Sequence, residues 1–338
     1  MDFPNFEKIN KLKTLISDTL SPLIDNDYVL LEVPNYRNIG DNLIWEGELE
    51  FLKRIPFKCL YSSNPNTFKS KNVSKDVIIL LQGGGNFGDI YTETQQFRLD
   101  IIEQFPNNKI IIFPQTIYYQ NNENLKEHAQ ILNKHNNLYI CARDHVSRDL
   151  LFEYGIKERV LLLPDMAFFI DMRSHFSTVI KNKSLYMKRV DSELNLSFDE
   201  QIIFDFLNSK KAKVIEIKDW PSYSSIPILN IIIEKFDAVE RRLSSLLVKI
   251  PVLNKLVSDE FGLNSNKSRV NYISQGVQFI NSYDSICTTR LHGFILAVLL
   301  NRSVGILDNS YGKNSNFYNS WLSDFEKVTL IDDIKKKS

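Results

Sequence analysis

Near the carboxyl end, Thr289-Arg290-Leu291-His292-Gly293 sets a guanidinium, an imidazole and a glycine within one turn of chain. The residues before it, Asp284-Ser285-Ile286-Cys287-Thr288, have the pattern of a short strand. The apolar run Phe294 to Leu300 has that of a helix beginning at about Gly293. A helix N-terminus carries unpaired N–H groups and a partial positive charge, so it attracts anions. Arg290 adds a planar fork suited to phosphate or carboxylate. His292 adds a group that exchanges a proton near neutral pH. Anion binding and proton transfer in one turn point to chemistry on a phosphorylated or carboxylated donor. The other histidines, His128, His135, His145 and His175, have no comparable setting. No HxH, HExxH or clustered carboxylate pattern predicts a metal site.

Other polar motifs follow apolar strand patterns. In Asn35-Tyr36-Arg37-Asn38-Ile39-Gly40-Asp41-Asn42, Asp41 reads either as the cap of the helix it opens or, with Asn38 and Gly40, as a contact to a sugar hydroxyl. Gln82-Gly83-Gly84-Gly85-Asn86-Phe87-Gly88-Asp89 permits close approach of a ligand over Gly84 and Gly85, or makes a tight turn; Asn86 and Asp89 are candidates for hydroxyl contacts. It is neither GxGxxG nor a P-loop, so a standard nucleotide fingerprint is unsupported. Gln115 in Pro114-Gln115-Thr116, Arg143 in Ala142-Arg143-Asp144 and Asp165 in Pro164-Asp165 also stand at strand ends. Arg143 and Asp144 read as a local ion pair or as site residues, Ser147 as a helix cap, and Asp165 as a hinge or cleft residue. Lys188-Arg189-Val190-Asp191-Ser192-Glu193 is either a solvated loop or a second anion grip through Arg189.

These motifs need a scaffold that ends many strands on one side. Short apolar runs alternate with helix patterns along the chain, which predicts parallel sheets covered on both faces. With 338 residues, two domains are expected, 1–171 and 172–338. The fold class is therefore α/β, two open parallel-sheet Rossmann-like domains in a glycosyltransferase-B-like arrangement with a cleft between them. In such sheets ligands sit beyond the carboxyl ends of the strands.

Composition narrows the partners. Lys+Arg and Asp+Glu both number 41, so there is no basic excess for nucleic acid. Cys59, Cys141 and Cys287 are far apart and lack CxxC spacing, which fits a reducing compartment better than a disulfide framework. Met1 to Ser17 lacks the apolar core of a signal peptide, and no run of about eighteen apolar residues occurs. A cytoplasmic protein is expected, free or peripheral at the inner face of the membrane. Ile226 to Leu256 mixes Ile, Leu and Val with Lys and Arg; a core helix or helical hairpin is the preferred reading and a membrane-surface helix the alternative.

Taken in order from about Val33 to Trp321, the motifs resemble the polysaccharide pyruvyl transferase family. The parts that carry the resemblance are Asn38-Ile39-Gly40-Asp41, Gly83 to Asp89, Phe113-Pro114-Gln115-Thr116, Arg143-Asp144, Pro164-Asp165, Arg290-Leu291-His292-Gly293 and Asp308-Asn309-Ser310-Tyr311-Gly312-Lys313. The resemblance implies that phosphoenolpyruvate is the donor, with no further cofactor, and that its pyruvyl group is placed as a ketal on a saccharide acceptor, lipid-linked or not. It implies a role in making exopolysaccharide, capsule or cell-wall polymers. Arg290 and His292 would be catalytic, and Lys188, Arg189 and Lys313 would join Arg290 in holding the donor. Two other readings stand beside it. A sugar-nucleotide glycosyltransferase would need a ribose clamp, for which Asp191 or Glu193 are the candidates. A non-catalytic glycan-binding component would have no use for a proton donor at His292.

Overall fold

The computed structural model describes residues 3–156, 159–177, 179–189, 200–210, 212–221, 227–264 and 267–331. The chain forms two compact α/β units. One comprises residues 15–166 and 222–269, the other 1–14, 167–221 and 270–338.

After the amphipathic helix α1 (Phe6–Leu20), the first sheet is built in the order β1 (Tyr28–Leu31), α2 (Ile39–Leu52), β2 (Cys59–Ser63), β3 (Ile78–Leu81), β4 (Gly84–Gly88), α3 (Thr92–Gln104), β5 (Ile110–Tyr118), α4 (Asn122–Lys134), β6 (Leu138–Ala142), α5 (His145–Glu153) and β7 (Val160–Leu162). Its strand order is β2-β1-β3-β5-β6-β7, with β4 also on β5, and its pairings are parallel. All four residues of β1 and of β3 are buried, as expected for β-rich apolar runs with both sheet faces covered. The long strand β5 pairs with β3 through Leu81 opposite Ile112 and then with β4 through Gly84 opposite Gln115. The glycine-rich stretch is thus more than a turn, because residues 84–88 add a strand. Gly88 makes this possible: at φ +136° its backbone lies so close to Tyr118 that a Cβ would stand 1.7 Å from the Tyr118 carbonyl oxygen.

The second sheet follows as β8 (Lys183–Met187), α6 (Glu200–Ser209), β9 (Val214–Lys218), α7 (Pro227–Leu247), α8 (Arg269–Asn281), β10 (Ser285–Thr288), α9 (Leu291–Leu299), β11 (Ser303–Ile306), α10 (Lys313–Trp321) and β12 (Val328–Leu330). The order is β12-β11-β10-β8-β9, again parallel. Every residue of α9 except His292 is buried, which makes it the central helix of its layer. Gly293 lets its first turn settle on the strand ends. A Cβ there would come 2.9 Å from Met187 Sδ and 3.0 Å from Thr288 Oγ1.

Helix α7 lies between strands of the second sheet in sequence but belongs to the unit of the first. Lys267, almost fully buried, donates to the Asn35 carbonyl at 3.0 Å, to Asn35 Oδ1 at 2.9 Å and to Glu240 Oε2 at 2.9 Å. Arg269 pairs with Glu46 and lies over the Trp45 ring. Asn64 donates to the Asp259 and Glu260 carbonyls at 3.2 and 3.0 Å. Lys267 and the Leu263 amide, which donates to Glu240 and Ser244, hold the side of α7 that carries Asp237, Glu240 and Ser244. The expected helix forms, but not as a core helix, since much of its apolar side is exposed.

Candidate active site

The parallel register of the second sheet sets Thr288 beside Met187 on one side and Ile306 on the other. The segments that follow these residues therefore emerge at one carboxyl edge, and they are Lys188-Arg189, Thr289 to Gly293 and Leu307 to Lys313. Hydrogen bonds knit them together. Asn314, fully buried, donates through Nδ2 to the Thr289 carbonyl at 2.7 Å and the Leu307 carbonyl at 2.8 Å. The Arg189 amide donates to Thr289 Oγ1 at 3.4 Å, and the Arg290 amide to Thr288 Oγ1 at 2.9 Å.

This edge gathers cations. Arg189 and Lys313 are buried, Arg290 and His292 half-buried. Arg290 occupies the N-cap position of α9 without capping it through its side chain. Its guanidinium instead takes Asp219, just past β9, in a bidentate pair through Nε and one terminal nitrogen, the latter at 2.5 Å. Such a pair fixes the plane of the fork. His292 sits two residues further on, in the first turn of α9. Lys188 pairs with Glu200 at 2.9 Å on a more exposed flank. The acid Asp308 serves the backbone: its Oδ1 accepts from the amides of Asn309, Asn314 and Ser315, and Asn309 Oδ1 accepts from the Lys313 amide at 2.8 Å. The start of α10 is thereby capped, while Gly312 at φ +84° makes the turn into it.

The first sheet presents a different edge. Asn38, rather than Asp41, caps α2, accepting from the Gly40 amide at 2.9 Å and the Asp41 amide at 3.3 Å. Asn38 has the extended backbone and short acceptor side chain that this position requires. Gln82 donates to the Asp41 carbonyl at 3.1 Å, and buried Gln115 to the Gln82 carbonyl at 2.8 Å. Glu48, fully buried, accepts the Gly83 amide at 2.8 Å. Burial raises the Glu48 carboxyl well above its ordinary range; the Gly83 bond opposes this, and the charges of Asp165 and Glu32 add to it. One oxygen each of Glu32, Glu48, Gln82 and Gln115 is buried with no hydrogen-bond partner among the described residues. Gly84, at φ +147°, lies within this group, with Gln115 Oε1 3.8 Å from where its Cβ would stand.

Around that floor are buried supports. Arg98 pairs with Glu32, donates to Gln95 Oε1 at 2.8 Å and to Asn86 Oδ1 at 3.0 Å, and lies over the Phe87 ring. Glu32 holds φ +70°, uncommon for a residue with a side chain. Arg143 donates to Asp165 at 2.6 Å and to Thr116 Oγ1 at 2.8 Å, so its partner is Asp165 and not its neighbour Asp144. Asp144, rather than Ser147, caps α5: it accepts the Ser147 amide and hydroxyl at 2.8 and 2.9 Å. Asp89 lies apart from the group. It accepts from the Gln120 and Asn121 amides at 2.7 and 2.8 Å and from Asn124, and these bonds outweigh partial burial to hold its carboxyl below the usual range.

Sequence reasoning passed over Asp219, Glu32, Glu48, Gln82 and Arg98. Asp219 stands just past a strand, as the recognised motifs do. Glu48 follows Ile44 by one helical turn and so shares its buried face. Asp191 and Glu193, the ribose-clamp candidates, lie outside the described residues.

Residues 38–311 match the family described as polysaccharide pyruvyl transferase. The chain is 32% identical over 334 residues to the protein named "Putative pyruvyl transferase EpsO" of Bacillus subtilis, covering 95% of each. It is 26% identical to "Pyruvyl transferase 1" of Schizosaccharomyces pombe, over 87% of this chain and 69% of that one. A crystal structure of a functionally uncharacterized Klebsiella pneumoniae protein has a similar fold, with a TM-score of 0.61, 20% identity, and coverage of 94% of this chain and 98% of that one.

Proposed function

As the chain belongs to the polysaccharide pyruvyl transferase family, we propose that it moves the pyruvyl group of phosphoenolpyruvate onto two hydroxyls of a saccharide acceptor, lipid-linked or polymeric. The product is a pyruvate ketal on an exopolysaccharide, capsule or cell-wall polymer. Phosphoenolpyruvate is a co-substrate, and no resident cofactor or metal is invoked. The glycosyltransferase-B-like arrangement belongs to the same reading.

The observation that carries it is the gathering of Arg189, Arg290, His292 and Lys313 at one carboxyl edge, beside the start of α9. Phosphoenolpyruvate bears a phosphate and a carboxylate, and each calls for a cation or a row of N–H donors. The reaction adds a proton to C3 and an acceptor hydroxyl oxygen to C2. The bond from C2 to the phosphate oxygen then breaks, and a second hydroxyl oxygen closes the ring at C2. Of the two hydroxyl protons released, the balance places one on C3 and one on the departing phosphate. His292 is the group that handles the proton, and the arginines stabilise charge as phosphate departs. The first-sheet edge, with its unpaired buried oxygens, suits an acceptor rich in hydroxyl donors.

Thermal melting of the full chain tests the donor. Phosphoenolpyruvate at one hundred times its Kd adds about 2.7 kcal/mol of stability. A rise in Tm with phosphoenolpyruvate but not with phosphate or a UDP-sugar, lost in Arg290→Ala, is expected. A rise with the UDP-sugar alone would replace this reading with glycosyl transfer.

A further inference from the structure

Helix α7 carries its apolar residues on the side that faces away from its own unit. Leu229, Ile232, Phe236, Val239, Leu243 and Leu246 follow one another at alternating steps of three and four residues, a single stripe along the helix. All six are exposed, Phe236 to 70% and Leu246 to 62%. The stripe runs on through Ile250, Val252 and Leu256, also exposed. A run of this length is more than the scattered apolar exposure of an ordinary surface.

The exposed charges around the stripe are mostly positive. Lys235, Arg242 and Lys249 recur every seven residues along its flank and are exposed, as is Lys255. The acids Asp237 and Glu240 turn to the opposite side, where Lys267 lies 3.8 and 2.9 Å from them. Glu240 also accepts the Leu263 amide and the Ser244 hydroxyl, each at 2.6 Å. Glu234 is the remaining acid of the helix, and it too is exposed.

We propose that α7 and the turn after it dock the protein on an anionic lipid surface, with the stripe immersed at the headgroup boundary and Lys235, Arg242 and Lys249 meeting lipid phosphates. Among the described residues no helix is long and apolar enough to cross a membrane, so the helix lies in the interface. At 1.5 Å per residue it lays about 30 Å of stripe on the surface. Charge decides between a bilayer and a second copy of the chain. Two such faces brought together would set these cations near one another, with Asp237 and Glu240 held by Lys267 and Glu234 the one acid of the helix left to answer three cations. A negatively charged surface matches all three cations at once, and long basic side chains reach headgroups while their stems stay in apolar surroundings.

The test needs no turnover, so it stands or falls apart from the reaction proposed above. The full chain is floated with vesicles of phosphatidylcholine containing phosphatidylglycerol, and with phosphatidylcholine alone. Binding to the anionic vesicles, weakened by salt, is expected. Each cation near such a surface contributes about fivefold to partitioning, so Lys235→Gln with Arg242→Gln and Lys249→Gln should lower it roughly a hundredfold. Phe236→Asp with Leu246→Asp should abolish it. Both variants change exposed positions and should melt with the wild type. Absence of the wild-type chain from the anionic vesicle fraction would overturn the proposal, as would equal binding by the triple variant. A dimer in light scattering that Phe236→Asp dissolves would give the face to a second copy instead.

Discussion

The two carboxyl edges are built alike and differ in charge. At the second sheet the ends of β8, β10 and β11 bring forward Arg189, Arg290 and Lys313 with His292. At the first sheet the ends of β1 and β3, with α2 and β5, bring forward Glu32, Gln82, Glu48 and Gln115, each with a buried oxygen that has no hydrogen-bond partner among the described residues. The same topology thus makes one edge rich in cations and another lined by buried carboxyl and amide oxygens. What differs is the side chains set there by the strands and by the loops and helices that follow them. The ion pairs differ too. Arg143–Asp165 is buried and braces its sheet from within, whereas Arg290–Asp219 is about one-fifth exposed on each side.

The sharpest way to break this contrast is at His292. His292→Ala should lower kcat for pyruvyl transfer by about 10²- to 10⁴-fold while Tm stays with the wild type, since His292 is the one residue of α9 that is not buried. Turnover near wild type in the folded variant would remove the second edge from the chemistry.

The first edge should respond through stability. Arg143→Met leaves Asp165 as a buried carboxylate without its cation, a loss of about 3–5 kcal/mol in urea unfolding. Adding Asp165→Leu should return most of it, because an apolar pair of similar volume avoids the cost of burying two charges. If the double variant is no better than the single, the brace works through Thr116 or the surrounding packing.

The smallest effect is a change of slope with pH. Glu48 has an ordinary value of 4.5 that burial raises in the fold. Between those two values the folded chain keeps a proton that the unfolded chain has lost. Stability from this group is therefore complete below the unfolded value and falls as pH rises through the folded one, by at most about 1.4 kcal/mol per pH unit. Glu48→Gln, which keeps the acceptor for the Gly83 amide, should flatten that part of the curve. An unaltered slope would mean that Glu48 is ionised in the fold, and the first edge would then be anionic.

Much of the scaffold was legible from pattern. Apolar runs such as Val77 to Leu81 and Ile110 to Phe113 can only be buried strands, and the helix patterns between them demand parallel pairing. The strand-end motifs could be located for the same reason. The caps were nearly so: Asn38 and Asp144 were in view, but which of several short polar side chains meets the first amides depends on backbone angles that sequence does not display.

By itself, then, the sequence determined the alternation of elements, the strand ends and the types of side chain placed there, because these follow from local periodicity and turn chemistry. Only the tertiary structure decided which distant groups meet. Asp219 reaches Arg290 across 71 residues of chain, and Arg98 reaches Glu32 across 66. It also decided the orientation of α7. An amphipathic helix has the same periodicity whether its apolar side meets a core or faces outward, and here Lys267 holding Asp237 and Glu240 draws the polar side in.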